Sequence, residues 1–227
     1  MIFIMRLHSL QLWAADLPAQ HDFYTRVLEL PVLAESDQRL ELQAGATRLI
    51  FQRPPATWSE VCTYHFAFNI PENLFDAARV WWTARAPLLL SKAGEATYDF
   101  THWNAHAFYF ADAVGNILEF IARHALPNAA PPPFSSHHML NISEIGLATD
   151  DVLATAARLQ TEWGIDPYRA PGDTFAPIGD EEGLLIVVKR GREWFPDTGR
   201  IAGAYPVWAE LTNARGELKR LEWDTPR

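Results

Sequence analysis

The sequence predicts an α+β fold made of repeated β-α-β-β-β units, and three observations carry that prediction. The order strand, helix, strand, strand, strand reads twice before residue 124 and again, more weakly, after residue 142. Each helical stretch has apolar residues at helical spacing, and each strand is a short apolar or alternating run bounded by turn residues. A proline-rich connection, HALPNAAPPPFSSHH, separates the second copy from the third. Self-similarity of this kind sets the architecture before any single residue does.

In the first copy, residues 7–13 form a strand, and Asp16 and Pro18 supply N-cap and first-turn chemistry for a helix. Phe23, Val27 and Leu30 give that helix an apolar stripe, and the strands RLELQAG and TRLIFQR follow about a glycine-containing turn. The second copy opens with TYHFAFNI. Its helix, PENLFDAARVWWTARA, has Leu74, Ala78 and Trp81 on one side. The strands YDF, AHAFYFAD and NILEFIA close the copy, with Gly115 and Asn116 turning the chain before the last. In the third, ISEIGLAT leads to a helix capped by Asp150 or Asp151 and stopped by Gly164, then to TFAPI and GLLIVVKR. The tail, FPDTGRIAGAYPVWAEL, has turn signals and one further strand, and the end, RGELKRLEWDTPR, reads as solvent-facing. The linker predicts a boundary near residue 130, with paired units over 1–127, a connection over 128–141 and a third unit over 142–227.

Composition narrows the function. The chain has 227 residues, 48% hydrophobic and 21% charged, which suits a soluble globular protein. A net charge of -9 from scattered acids argues against nucleic acid, which needs a clustered basic face. No apolar run approaches the roughly 20 residues of a membrane helix. The opening MIFIMRLHSLQLW is broken by Arg6 and His8 and reads as a strand, not a signal peptide. The single cysteine, Cys62, permits no internal disulfide, fits a cytoplasmic location and has no nucleophile signature around it. Glu119 is the conspicuous residue. It sits among Ile117, Leu118, Phe120 and Ile121, where a carboxylate is costly unless something positive meets it, a cation or an arginine such as Arg123.

These repeated units, with FYFADAVGNILEF closing the second, resemble the vicinal oxygen chelate superfamily, which includes glyoxalase I, extradiol dioxygenases and bleomycin-resistance proteins. The resemblance is clearest over residues 7–124 and fainter over 142–191. DLPAQHDFYTRVLEL is similar to the family's first helix, and the closing run to its aromatic-x-aromatic, Asp-Pro-x-Gly-Asn, x-x-Glu motif, with Ala113 in place of proline. The resemblance implies that the first two units pair into a half-open barrel around a metal. It places His8, His65 and Glu119 as the ligands, with Gln52, on the last strand of unit one, as the candidate for a fourth ligand or a substrate-binding group. Two imidazoles and a carboxylate leave positions open for substrate oxygens; Fe(II) or Mn(II) is favoured, and Zn(II) or Ni(II) would also accept the set.

The resemblance also implies roles around the metal. Tyr109 would face substrate or simply fill the barrel wall. His102 and His106, in HWNAH, are similar to an H-x-N-x-H stretch of extradiol dioxygenases, two residues closer to the tyrosine here, and would move protons. Trp103 would help an apolar pocket bind an aromatic substrate. Trp13, Trp81 and Trp82 read as packing, and His137 and His138 as surface. In the third unit Ser143 falls where a ligand histidine would be, and LLIVVK carries no acid. That unit is expected to hold no metal and to pair with its counterpart in a homodimer. The function this implies is a metal-dependent enzyme on a small molecule that chelates through adjacent oxygens, of extradiol-dioxygenase type. The alternatives are a glyoxalase-type lyase or isomerase and a non-catalytic dimeric binding or resistance protein.

Overall fold

The computed structural model describes residues 4–223. Met1–Phe3, at the head of the predicted first strand, and Asp224–Arg227, in the predicted solvent-facing end, lie outside the described residues. The first unit runs β1 (Arg6–Trp13), α1 (Leu17–Asp22), β2 (Val32–Ser36), β3 (Arg39–Ala44) and β4 (Thr47–Gln52). The second runs β5 (His65–Ile70), α2 (Phe75–Thr83), β6 (Tyr98–Phe100), β7 (Ala105–Ala111) and β8 (Ile117–Arg123). The third runs β9 (Asn141–Thr149), α3 (Val152–Trp163), β10 (Phe175–Asp180) and β11 (Gly183–Lys189), and the chain ends in β12 (Val207–Thr212) and β13 (Leu218–Trp223).

Local chemistry sets these elements. Asp16 caps α1 through a 2.9 Å bond from the Ala19 N–H to its Oδ1. A π turn over Phe23–Val27 then follows, in which the Leu28 N–H reaches back to the Phe23 carbonyl. The extra residue rotates the helix, so Tyr24 and Leu28 are buried and the expected Phe23 and Val27 only partly so. Of the two candidate caps for α3, Asp151 does the work, accepting from Ala154 N–H at 2.9 Å. Gly164 ends the helix at φ 64°, a conformation that favours glycine. β13 corrects the reading of the tail as wholly solvent-facing, because Leu221 and Trp223 are buried.

The α+β class and the repeated unit are as the sequence predicts; the pairing of units is not. β5 of unit two pairs antiparallel with β9 of unit three, giving a seven-stranded sheet of order β10-β11-β9-β5-β8-β7-β6. Unit one pairs instead with the end of the chain, through β1 and β12, in a six-stranded sheet of order β13-β12-β1-β4-β3-β2. The half-barrel is therefore built by units two and three. Unit three, expected to pair with its counterpart in a second subunit, is joined through β9 to β5 of unit two within the chain.

One apolar core draws on both sheets and all three helices. Trp82 of α2, fully buried, stacks on Phe110 of β7 at 3.8 Å between ring centroids. Phe66, Phe68, Phe108 and Phe120 fill the same side of the seven-stranded sheet. Side chains alternate across a strand, so the intervening residues of β5, β7 and β8 turn to the sheet's other face, where the site lies. Among the described residues no helix is long and apolar enough to cross a membrane.

Candidate metal centre

The strand register brings distant residues into one row. Ala67 of β5 lies opposite Glu119 of β8 on one side and opposite Glu144 of β9 on the other. Tyr109 of β7 is opposite Glu119, and Leu184 of β11 is opposite Glu144. His65 stands two residues before Ala67, hence on the same face. The small methyl of Ala67 leaves room above it, into which both carboxylates and the imidazole lean.

His65 Nε2 lies 3.7 Å from Glu119 Oε2 and 3.9 Å from Glu144 Oε2. One ligand atom from each residue falls within 4.8 Å of the other two, and all three residues are buried. Bonds of about 2.1 Å in a tetrahedral site would put ligand atoms about 3.4 Å apart, close to this spacing. His65 Nδ1 is 3.2 Å from the Ile117 carbonyl, so the ring donates there and turns Nε2 toward the carboxylates. A lone pair and two carboxylate oxygens this close together form a set of donors that could share one cation. The donor set fits a divalent metal ion.

Electrostatics separate the two acids. Burial, and next the charge of Glu144, push the Glu119 carboxyl well above the usual carboxylate range. Burial would raise Glu144 too, but the nearby His65 ring and the charge of Arg123 outweigh it and hold Glu144 low. Arg123, fully buried, donates through Nη2 to Glu144 Oε1 and through Nε to Asn69 Oδ1 at 3.1 Å. Glu144 is thus held by one oxygen and presents the other to His65. Burial, then Glu119 and Glu144, raise the Tyr109 phenol well above its ordinary value, so it remains a hydrogen-bond donor.

The cluster forms the floor of a cavity of about 220 Å³ walled by Phe100, Trp103, Tyr109, Phe175, Trp194 and Phe195. Trp194 packs on His65 with ring centroids 5.3 Å apart. It fits because Gly146 lies beneath it: a Cβ there would come within 2.4 Å of Trp194 Cη2.

Of the residues singled out from sequence, the structure brings His65, Glu119, Tyr109 and Trp103 to this cavity. His8 is corrected as a ligand. It lies in β1 of the other sheet, exposed, with Nε2 2.6 Å from Thr212 Oγ1. Gln52 of β4 shares that sheet and does not line the cavity. His106 alternates with Tyr109 on β7 and faces away, Nδ1 2.7 Å from His124 Nε2. His102 is exposed, and its carbonyl accepts from Arg169. Neither histidine is placed to move protons at the floor. Burial raises the Cys62 thiol, the opposite of activation. His8→Ala is accordingly expected to leave metal affinity unchanged within about twofold, since distant sites act independently; isothermal titration checks this.

Glu144 is the member that sequence reasoning missed: unit three, expected to hold no metal, supplies one residue of the cluster. Its signal was the one that marked Glu119, a carboxylate inside an apolar strand. Arg123 carries the same signal with opposite sign.

No family model matches the sequence, and no curated protein matches it. Among solved structures it is similar to a putative dioxygenase from Bacillus subtilis subsp. subtilis str. 168, at 15% identity and a TM-score of 0.57 over 100% of this chain and 87% of that one. It is also similar to a glyoxalase I mutant from Zea mays, at 14% identity and a TM-score of 0.53 over 96% and 92%. Likenesses at such identity speak to the fold. Together with the strand order they show that the chain has the vicinal oxygen chelate fold.

Proposed function

We propose that the protein is a metal-dependent enzyme acting on a small molecule that chelates the ion through adjacent oxygens, by lyase or isomerase chemistry. The observation that carries this reading is the convergence of His65, Glu119 and Glu144 on one point in an aromatic-walled cavity. Two histidines and one carboxylate would suit a non-haem iron oxygenase; one histidine and two carboxylates form a harder set, suited to Mn(II) or Zn(II) as a Lewis acid. A divalent ion held there would stabilise negative charge developing on the chelating oxygens.

The remaining work falls to the chain itself. Arg123 fixes Glu144 in its ionised form, Tyr109 donates a hydrogen bond to an oxygen gaining charge, and Glu119, made more basic by burial and the neighbouring Glu144, would accept the α-proton. A second reading, an extradiol-type dioxygenase, is favoured by Tyr109 standing beside Glu119 in an aromatic pocket.

The experiment loads the purified protein with Mn(II) and offers 2-hydroxy ketones, 2-hydroxy acids and catechols in D₂O under air. Loss of the α-proton signal without oxygen uptake is the expected result. Oxygen consumption with catechols would support the dioxygenase reading, and ligand binding with neither change would mark a binding protein.

A further inference from the structure

We infer that the occupant of this cavity is a single-ring anion, its vicinal oxygens at the carboxylate floor and its negative group facing Arg192 at the mouth. This rests on the proposed function for the floor, and on separate observations for the ring and the charge. The size comes from the cavity, about 220 Å³. An apolar cavity of about 150 Å³ accommodates benzene, so this one suits one ring with substituents better than a fused polycycle. The shape comes from the walls. Six aromatic rings, with Ile121, Ile186 and Val188, leave an apolar slot suited to a flat ligand.

The charge comes from the segment after β11. Leu184 lies beside Glu144, and Val188, four residues on, lies about 13 Å further along the strand at ~3.3 Å per residue. The chain then turns, the Arg192 N–H bonding to the Lys189 carbonyl at 3.1 Å. Arg192 stacks over Phe175, 5.3 Å from the ring, and Phe175 pairs with Val188. Two residues later Trp194 rests on His65. The segment therefore spans the cavity, with a guanidinium at its mouth and an indole at its floor. Among the described residues Arg192 is the one lysine or arginine lining this cavity, and it makes no ion pair with a carboxylate. A chain with net charge -9 repels anions overall, so recruiting one falls to this local cation.

The test titrates the full-length protein, with and without Mn(II), by tryptophan fluorescence, since Trp103 and Trp194 line the cavity. Benzoate carries the ring and charge without chelating oxygens; benzamide is its neutral isostere, and 9-anthroate is the oversized anion. Benzoate is expected to bind about tenfold tighter than benzamide, the scale of one charge-assisted contact, and 9-anthroate is expected not to bind. Arg192→Gln should erase that preference while leaving benzamide affinity unchanged, and Arg192→Lys should retain part of it. Equal binding of benzoate and benzamide, or a preference that survives Arg192→Gln, overturns the inference. Mn(II) binding, read by electron paramagnetic resonance on the same samples, separates the two claims. An absence of Mn(II) binding with the benzoate preference intact would sink the metal reading and with it the placement of the vicinal oxygens, leaving the ring and the charge standing.

Discussion

Glu119→Gln is expected to stabilise the metal-free protein while abolishing its uptake of Mn(II). Glu119 is 2% exposed, beside a second carboxylate that Arg123 already compensates. Its pKa is raised well above the usual range by burial and then by Glu144. A carboxyl whose folded value exceeds its unfolded value costs nothing at acid pH. It destabilises the fold increasingly as pH rises above the unfolded value. The neutral isostere removes that cost. A gain of about 1–2 kcal/mol is expected near neutrality, or about 2–8 °C in Tm for a chain of this size. The difference should close as pH falls below the unfolded carboxylate range. Mn(II) affinity should drop by more than about 100-fold, since even groups that only orient ligands cost 10- to 100-fold. Calorimetry in chelator, followed by metal titration, reads both effects. A lower Tm for the variant in chelator would show that Glu119 is already paired with a cation of the chain itself.

Arg123→Met carries the opposite sign. The guanidinium is fully buried and meets Glu144 and Asn69. Removing it leaves Glu144 charged, buried and unpaired, which costs about 3–5 kcal/mol. Arg123→Met combined with Glu144→Gln removes both charges, and most of that loss should return. Denaturant midpoints of the two single variants and the double variant form the cycle. If the double variant is as unstable as the sum of the singles, the Arg123–Glu144 pair does not set the stability of the floor.

The repeated unit was legible because its evidence is local: turn residues, apolar spacing and the closing motif ending in Glu119. The pairing of units was not. β1 alternates polar and apolar residues and β5 is largely apolar, but nothing in either says that β5 pairs with β9 and β1 with β12. That choice decided the site, because it carries His8 into the other sheet and brings Glu144 to His65. The substitution of Ser143 for Glu144 as the matching position was a slip of one residue, which in a strand exchanges the two faces. A register shift between Ala67 and Phe68 at this pairing breaks the alternation from which the position would be counted. His106 went astray by the same parity argument, being three residues from Tyr109 and so on the opposite face. Arg192 and Trp194 lie in an irregular stretch, where neither period operates and only the folded chain shows what they cover.

One cation shared by three side chains underlies the proposed function. Anomalous diffraction from crystals soaked in Mn(II) tests it most directly. The expected map has a single strong peak within bonding distance of His65 Nε2, Glu119 Oε2 and Glu144 Oε2, and none at His8. A map with no peak between those three groups, from protein that nonetheless binds Mn(II) stoichiometrically, would contradict it.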